Sequence, residues 1–158
     1  MEAKIVSLEQ MTAVGYQSLF SLSKENIIPN LWGRFLARQD EIKNIKNPDV
    51  ALGVCFDIET NKSKNIEHFF YMAALIVNST DDIPEGMTYK NIPAHKYAKF
   101  THKGKLDKLG ETYNYIYQNW LPKSEYKQDD KAIELEWYDN RFVVDSDESE
   151  FDIYISIS

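Results

Sequence analysis

The chain has 158 residues, of which 43% are hydrophobic and 13% aromatic, so it can bury a core without disulfides or metals. A formal net charge of −7 argues against direct binding to duplex DNA, because phosphate contacts require a basic face. No apolar run approaches the roughly 18 residues of a membrane helix, and the N-terminus has no signal-peptide pattern, which predicts a cytoplasmic location.

The first half of the chain divides into four predicted elements. Residues 5–20 are predicted to be extended, and 30–45 to form a helix, because apolar positions recur there at helical spacing. Residues 51–58 and 68–77 are rich in apolar, β-prone side chains and predict two strands. The polar stretch between them, 59–65, predicts a turn that joins these strands into a hairpin.

The second half repeats this order after a polar connector at residues 78–86. Its extended segment contains Pro93, which predicts a bend or an edge position, and Pro122 is predicted to end its helix. The repeated elements are extended residues 87–102, a helix at 106–121, and strands at 132–138 and 151–157.

This repetition predicts the fold class. The two halves, about 1–80 and 87–158, read as duplicated β-α-β-β units related by a pseudo-twofold axis. Hairpins within each half imply antiparallel pairing, and the helices must cover sheet surface. We therefore predict a single α+β domain over residues 1–158, with an antiparallel sheet, two main helices and a central ligand cleft at the seam between the halves.

The next-to-last predicted strand carries two glutamates at alternate positions. Period-two alternation places Glu134, Glu136 and Tyr138 on one face. The intervening Leu135 and Trp137 then form an apolar opposite face. Alternation alone leaves open whether the acidic face is solvated or faces the cleft.

Aromatic side chains are the other candidates for a binding site, because flat rings can stack on a ligand and a tyrosine can also donate a hydrogen bond. Core packing is the alternative for each of them. The sequence predicts no cofactor and no metal site, since its histidines lack ligand spacing and its single cysteine, Cys55, lies in a buried strand as an unreactive thiol. The aromatic candidates are Trp32, Phe35, Tyr71, Tyr113, Tyr117 and Trp120.

Longer motifs point to a family. They are FYMAA at 70–74, IPAHKYAKFTHKG at 92–104, YNYIYQNWLP at 113–122, and EWYDNRF at 136–142 with the terminal FDIYI at 151–155. In these stretches the chain resembles GyrI-like proteins and the effector-binding domains of AraC- and MerR-type regulators. The resemblance implies two β-α-β-β modules around a shallow aromatic pocket with a glutamate of the next-to-last strand inside it. Glu136 matches that glutamate by position, and Glu134 is the alternative.

The resemblance also implies a choice of functions. It implies first a stand-alone domain that binds flat hydrophobic or cationic drugs and toxins, as in multidrug binding or toxin resistance, because no helix-turn-helix precedes the domain. One alternative is a hydrolase of cyclopropane-bearing alkylating natural products, in which Glu136 activates water and Tyr71 donates to the substrate carbonyl. Another is a module that protects DNA gyrase, with gyrase or a regulator as the partner of its acidic surface.

Overall fold

A computed structural model describes residues 1–21, 26–60, 66–128 and 133–158 of the chain. Eight strands form one antiparallel sheet, and both helical regions pack on the same face of it. This is the α+β architecture that the repeat predicts. The strands are β1 (Lys4–Leu8), β2 (Met11–Ser21), β3 (Ala51–Thr60), β4 (Ile66–Val77), β5 (Thr88–Ile92), β6 (His95–Lys103), β7 (Glu134–Tyr138) and β8 (Glu150–Ser156).

The strand order β1-β6-β8-β7-β3-β4-β2-β5 reflects the duplication. From one edge to the centre of the sheet the strands are β1, β6, β8 and β7. From the other edge to the centre they are β5, β2, β4 and β3, and the two series correspond strand by strand. The two halves therefore meet at the β7–β3 pair, where Glu136 lies opposite Gly53 and Glu134 opposite Cys55. This pair is the seam at which the cleft is predicted.

The two long extended segments are each broken into two strands, which differs from the prediction of one strand apiece. Residues 9–10 separate β1 from β2, and Pro93 lies in the break between β5 and β6, where it acts as the predicted bend. The leading strand of each segment then pairs in the other half, β1 with β6 and β5 with β2. The turn at 61–65 and Ala132 lie outside the described residues.

The first helix, α1 (Ile28–Arg38), is shorter than the predicted 30–45 and is followed by one 3₁₀ turn, Gln39–Glu41. The prediction is wrong after Arg38 because the chain becomes extended at Ile42 and Asn44 adopts a φ of 63°, which a right-handed helix does not accept. Ile42 is buried and Ile45 forms a bridge to Val77. These apolar residues reach the core from extended backbone.

The second helix runs from Leu106 to Lys123 in four consecutive pieces and passes the predicted end at Pro122 by one residue. The pieces are a 3₁₀ turn (Leu106–Lys108), α2 (Leu109–Asn114), a π-helical stretch (Tyr115–Trp120) and α3 (Leu121–Lys123).

No helix among the described residues is long and apolar enough to span a membrane.

Burial divides the sheet into two faces. On the helix face, Leu31 and Phe35 of α1 pack over β2, β3 and β4, whereas Ile116 of the second helix packs over β6 and β8. The opposite face has its own apolar core, which includes Leu52 and Leu135. Leu135 thus faces away from the helices, as alternation predicts, and the glutamates on either side of it lie on the helix face between the two helix-covered clusters.

Candidate functional site

Three tyrosine hydroxyls converge on Glu136 at the seam. Tyr71 of β4 donates to Oε1 at 2.6 Å, and Tyr138 of β7 donates to the same oxygen at 3.1 Å. Tyr113 of the second helix donates to Oε2 at 3.2 Å. The carboxylate is only 6% exposed, so it is held by side chains from both halves of the chain in a largely dry environment.

Trp32 extends this network to α1. Its indole Nε1 donates to the Tyr71 hydroxyl at 2.8 Å, so the hydrogen bonds run from Trp32 through Tyr71 to Glu136. The Trp32 ring also meets Tyr71 and Tyr138 edge-on, with ring centroids 6.5 and 5.5 Å apart. Trp32 is half-buried whereas Tyr71 is fully buried, so the indole lies on the solvent side of the network.

Gly53 provides the space in which Tyr71 reaches Glu136. It pairs with Glu136 in the β3–β7 ladder, and a Cβ atom there would overlap the Tyr71 hydroxyl and lie 2.5 Å from Glu136 Oε1. Sequence reasoning missed this residue. The available signal was a glycine inside an otherwise apolar strand, which often marks a close approach of other groups to the backbone.

The electrostatics of the two glutamates differ. Burial raises the pKa of Glu136, and the hydrogen bonds from Tyr71, Tyr138 and Tyr113 partly offset that rise. Burial, followed by the charge of Glu136, raises the pKa of Glu134 to about 8. Among the described residues only Glu136 accepts hydroxyl hydrogen bonds, so it ionises before Glu134, whose pKa of about 8 lies above neutral pH. No lysine, arginine or histidine of the described residues contributes to either shift.

The neighbouring hydroxyls and the thiol remain protonated. Burial, then the charge of Glu136, raises the pKa of Tyr71, Tyr113 and Tyr138 well above its ordinary value, so each acts as a neutral donor. The same two causes raise the pKa of Cys55, which is buried as predicted. A protonated, inaccessible thiol is a poor nucleophile.

The structure brings together four of the residues selected from the sequence, namely Trp32, Tyr71, Tyr113 and Glu136. Tyr138 was placed on the correct face but not selected as a site residue. Tyr117 stacks on Tyr113 with centroids 6.4 Å apart and is the next ring outward.

The two other selected aromatics have core contacts. Phe35 is fully buried behind Trp32, with ring centroids 5.7 Å apart. Trp120 packs between Phe100 and Tyr126 near the end of the second helix, at 5.1 and 6.2 Å.

A cleft of about 800 Å³ opens on the opposite face of the sheet, away from Glu136. Its wall includes Phe56 and Phe70, stacked at 5.5 Å, and the ammonium of Lys90 lies 4.3 Å from the Phe56 ring centroid. The carboxylates that line it, Asp57 and Glu59, are on exposed residues. Converging buried polar groups distinguish a binding site from a surface depression, which favours the Glu136 cluster.

Comparison with known proteins agrees with this architecture. The model of a family described as GyrI-like small molecule binding domain matches residues 1–158. The transcriptional regulator BrlR of Pseudomonas aeruginosa is 35% identical over 159 residues. That alignment covers 99% of this chain and 56% of BrlR, so the chain spans about half the length of this relative.

Solved structures share the fold at low identity. SAV2435 bound to tetraphenylphosphonium superposes with a TM-score of 0.73 at 19% identity, covering 100% of this chain and 94% of that one. The C-terminal domain of EcmrR gives 0.71 at 16% identity, with 99% and 97% covered. A hydrolase from Listeria innocua gives 0.61 at 8% identity, with 99% and 92% covered.

Proposed function

Because this chain belongs to the GyrI-like small molecule binding domain family, we propose that it binds flat hydrophobic cations, such as aromatic drugs or toxins, at Glu136. The observation that carries the proposal is a buried carboxylate with neutral hydrogen-bond donors and no basic partner among the described residues. A buried charge without a counter-charge is costly, and a bound cation would relieve that cost.

The surrounding rings suit the same class of ligand. Tyr113 and Tyr138 are partly buried and donate to the carboxylate, and Trp32, also partly buried, is linked to it through the Tyr71 hydroxyl, so these rings are placed to receive a flat cation once it enters. A cation over an aromatic face gains about 0.5–2 kcal/mol, more as the site dries. The tetraphenylphosphonium carried by SAV2435, which shares the fold, is a hydrophobic aromatic cation with a tetrahedral centre, and it supports the cationic and aromatic part of this choice.

Entry of a ligand requires rearrangement of the rings. Tyr71 is 2% exposed and Glu136 6%, so no large molecule touches the carboxylate while all three hydroxyls remain on it. Trp32 is the group on the solvent side, and its only polar contact in the network is the Tyr71 hydroxyl. We therefore expect the indole and the Tyr113 ring to move when the ligand binds.

The test is a titration of tryptophan fluorescence with the flat aromatic cation N-methyl-4-phenylpyridinium. We expect quenching at micromolar concentrations, and Glu136→Gln should weaken affinity by roughly 5–30-fold, which corresponds to a loss of about 1–2 kcal/mol. Glu148→Gln is the matched control, since it removes the same charge from an exposed side chain. Equal affinities for the wild type and Glu136→Gln, with both proteins folded, would contradict the proposal.

A hydrolase is the second candidate, favoured by one specific geometry. Glu136 has a raised pKa, as a general base near neutral pH requires, and Tyr71 beside it is a protonated donor. Water would attack a carbon of the strained cyclopropane while Glu136 takes its proton. The carbon–carbon bond would break toward the conjugated carbonyl, Tyr71 would protonate that oxygen, and Glu136 would then return its proton to Tyr71. Mass spectrometry of the incubated toxin would then show the gain of one water, and an unchanged mass would leave binding alone.

A further inference from the structure

A second buried carboxyl group, that of Glu134, lies beside the proposed cation site and takes no part in the hydrogen bonds described for Glu136. Glu134 is 5% exposed, and its Oε1 has no hydrogen-bond partner among the described residues. Glu136, two residues away, accepts three hydroxyls. Buried polar atoms are nearly always paired in proteins, so a carboxyl oxygen without a partner among the described residues of a ligand-binding fold is a candidate contact for a bound ligand.

The register of the sheet places the two carboxyl groups on one face, at the seam between the halves. Glu134 and Glu136 project from the same face of β7 and are separated by two residues, which is about 7 Å along a strand. Glu134 pairs with Cys55 of β3, which itself pairs with Tyr71 of β4. The Tyr71 hydroxyl leaves that row, crosses above Gly53 and donates to Glu136.

Among the described residues, the groups that face Glu134 provide no positive charge. Across the sheet they are the Cys55 thiol on β3 and Ile155 on β8, and the acidic neighbour on its own strand is Glu136. From the second helix, Tyr113 is close enough to be affected by the charges of both glutamates. Every titratable neighbour in the described part of the chain is therefore neutral or acidic, and burial together with the charge of Glu136 raises the pKa of Glu134 to about 8.

We propose that Glu134 is a second recognition carboxyl, which makes the site prefer flat ligands with two cationic centres about 7 Å apart and which exchanges its proton for the second centre. This inference rests on the proposed function, because Glu136 must first hold one cationic centre. The two acids then differ in their roles: Glu136, which accepts three hydroxyl hydrogen bonds, ionises before Glu134, and Glu134 gives up its proton when the ligand arrives.

Proton release is the signature of this arrangement. In the free protein at neutral pH, Glu134 carries a proton; when a second cationic centre occupies its end of the cleft, that proton leaves to the buffer and a carboxylate–cation pair remains. Affinity for a dication should therefore rise by up to about tenfold per pH unit below the Glu134 pKa of about 8, and level off above it. A monocation held by Glu136 should show a shallower dependence.

The experiment compares two flat probes of matched shape. Methyl viologen carries two ring nitrogens at a separation comparable to that of the carboxyl groups, and N-methyl-4-phenylpyridinium has the same outline with one. Isothermal titration calorimetry near pH 7, in buffers of different ionisation enthalpy, counts the protons released with each probe. The same titrations are made on Glu134→Gln and Glu136→Gln.

We expect methyl viologen to release close to one more proton than the monocation from the wild type. Glu134→Gln should abolish that difference and weaken viologen binding at pH 8.5 by roughly tenfold, while changing monocation affinity less than about threefold. Equal proton release by the two probes, or an unchanged viologen affinity in folded Glu134→Gln, would overturn the inference while monocation binding still supports the proposed function. If neither probe binds the wild type, both proposals fail. If Glu134→Gln does not fold, the difference in proton release between the two probes, measured on the wild type, tests the inference by itself.

Discussion

At the scale of single residues, Gly53 controls how Tyr71 and Glu136 meet. The Tyr71 hydroxyl crosses above this glycine to donate its 2.6 Å hydrogen bond, and a methyl group at the position would overlap it. The neighbouring backbone belongs to two ladders, β3–β7 and β3–β4, and so cannot move aside easily. Displacement of Tyr71 would also leave the buried carboxylate with fewer donors.

We therefore predict that Gly53→Ala lowers the free energy of unfolding by about 1–3 kcal/mol and weakens cation binding together with it. Gly33→Ala is the control, because Gly33 is exposed in α1 and an added Cβ meets nothing within 4 Å. That change should stabilise the protein by about 0.5–1 kcal/mol. Urea denaturation of both variants makes the comparison. If Gly53→Ala is as stable as the wild type, the Tyr71 side chain can shift away from the added methyl group without cost.

At the scale of elements, Arg141 fastens the loop between β7 and β8 to the sheet. Its guanidinium donates to both carboxylate oxygens of Asp139 at 2.9 Å and to Oδ2 of Asp152 on β8 at 2.8 Å. Asp152 is 5% exposed and also accepts the Thr101 hydroxyl of β6 at 2.7 Å. The loop that follows the acidic strand is thus tied to the sheet through one buried carboxylate.

We predict that Arg141→Met costs about 1–2 kcal/mol of stability, since it leaves Asp152 buried with weaker compensation while the arginine itself reaches solvent. Lys103→Met is the matched control: its ammonium lies 3.9 Å from Glu148 in an exposed pair and should contribute less than about 0.5 kcal/mol. Thermal or urea unfolding gives both values. Equal costs for the two substitutions would argue that Arg141 is an ordinary surface charge.

At the scale of the whole molecule, the exchange of leading strands links the two halves. β1 belongs to the first half of the chain but pairs only in the second, and β5 does the reverse. The β3–β7 ladder joins the halves again at the centre of the sheet. Neither half can therefore unfold without removing hydrogen-bond partners from the other, which favours one cooperative transition.

Hydrogen exchange tests this coupling. We predict that the most protected amides of β4 and β8, the strands internal to the two halves, open with free energies equal within about 1 kcal/mol, because both require global unfolding. Amides of the edge strands β1 and β5 should exchange faster. A difference of several kcal/mol between β4 and β8 would show that the halves unfold separately.

The amino-acid sequence by itself determined the order of elements and the face on which each side chain lies. Apolar periodicity is a local property, so it located both helices and most strands, and alternation along β7 placed Glu136 apart from Leu135. Pro93 likewise indicated a break between strands, because a proline has no backbone N–H group to donate to a β-ladder.

Only the tertiary structure decided which elements meet. Periodicity distinguishes the two faces of a strand but does not identify the strand that pairs with it. The pairing of β1 with β6 and of β5 with β2 therefore could not be predicted from the sequence. The early end of α1 likewise follows from the bridge between Ile45 and Val77. Tyr71 and Glu136 are 65 residues apart in the chain, and their contact depends on the space above Gly53. A site assembled across that distance is set by packing of the whole sheet, which local sequence does not encode.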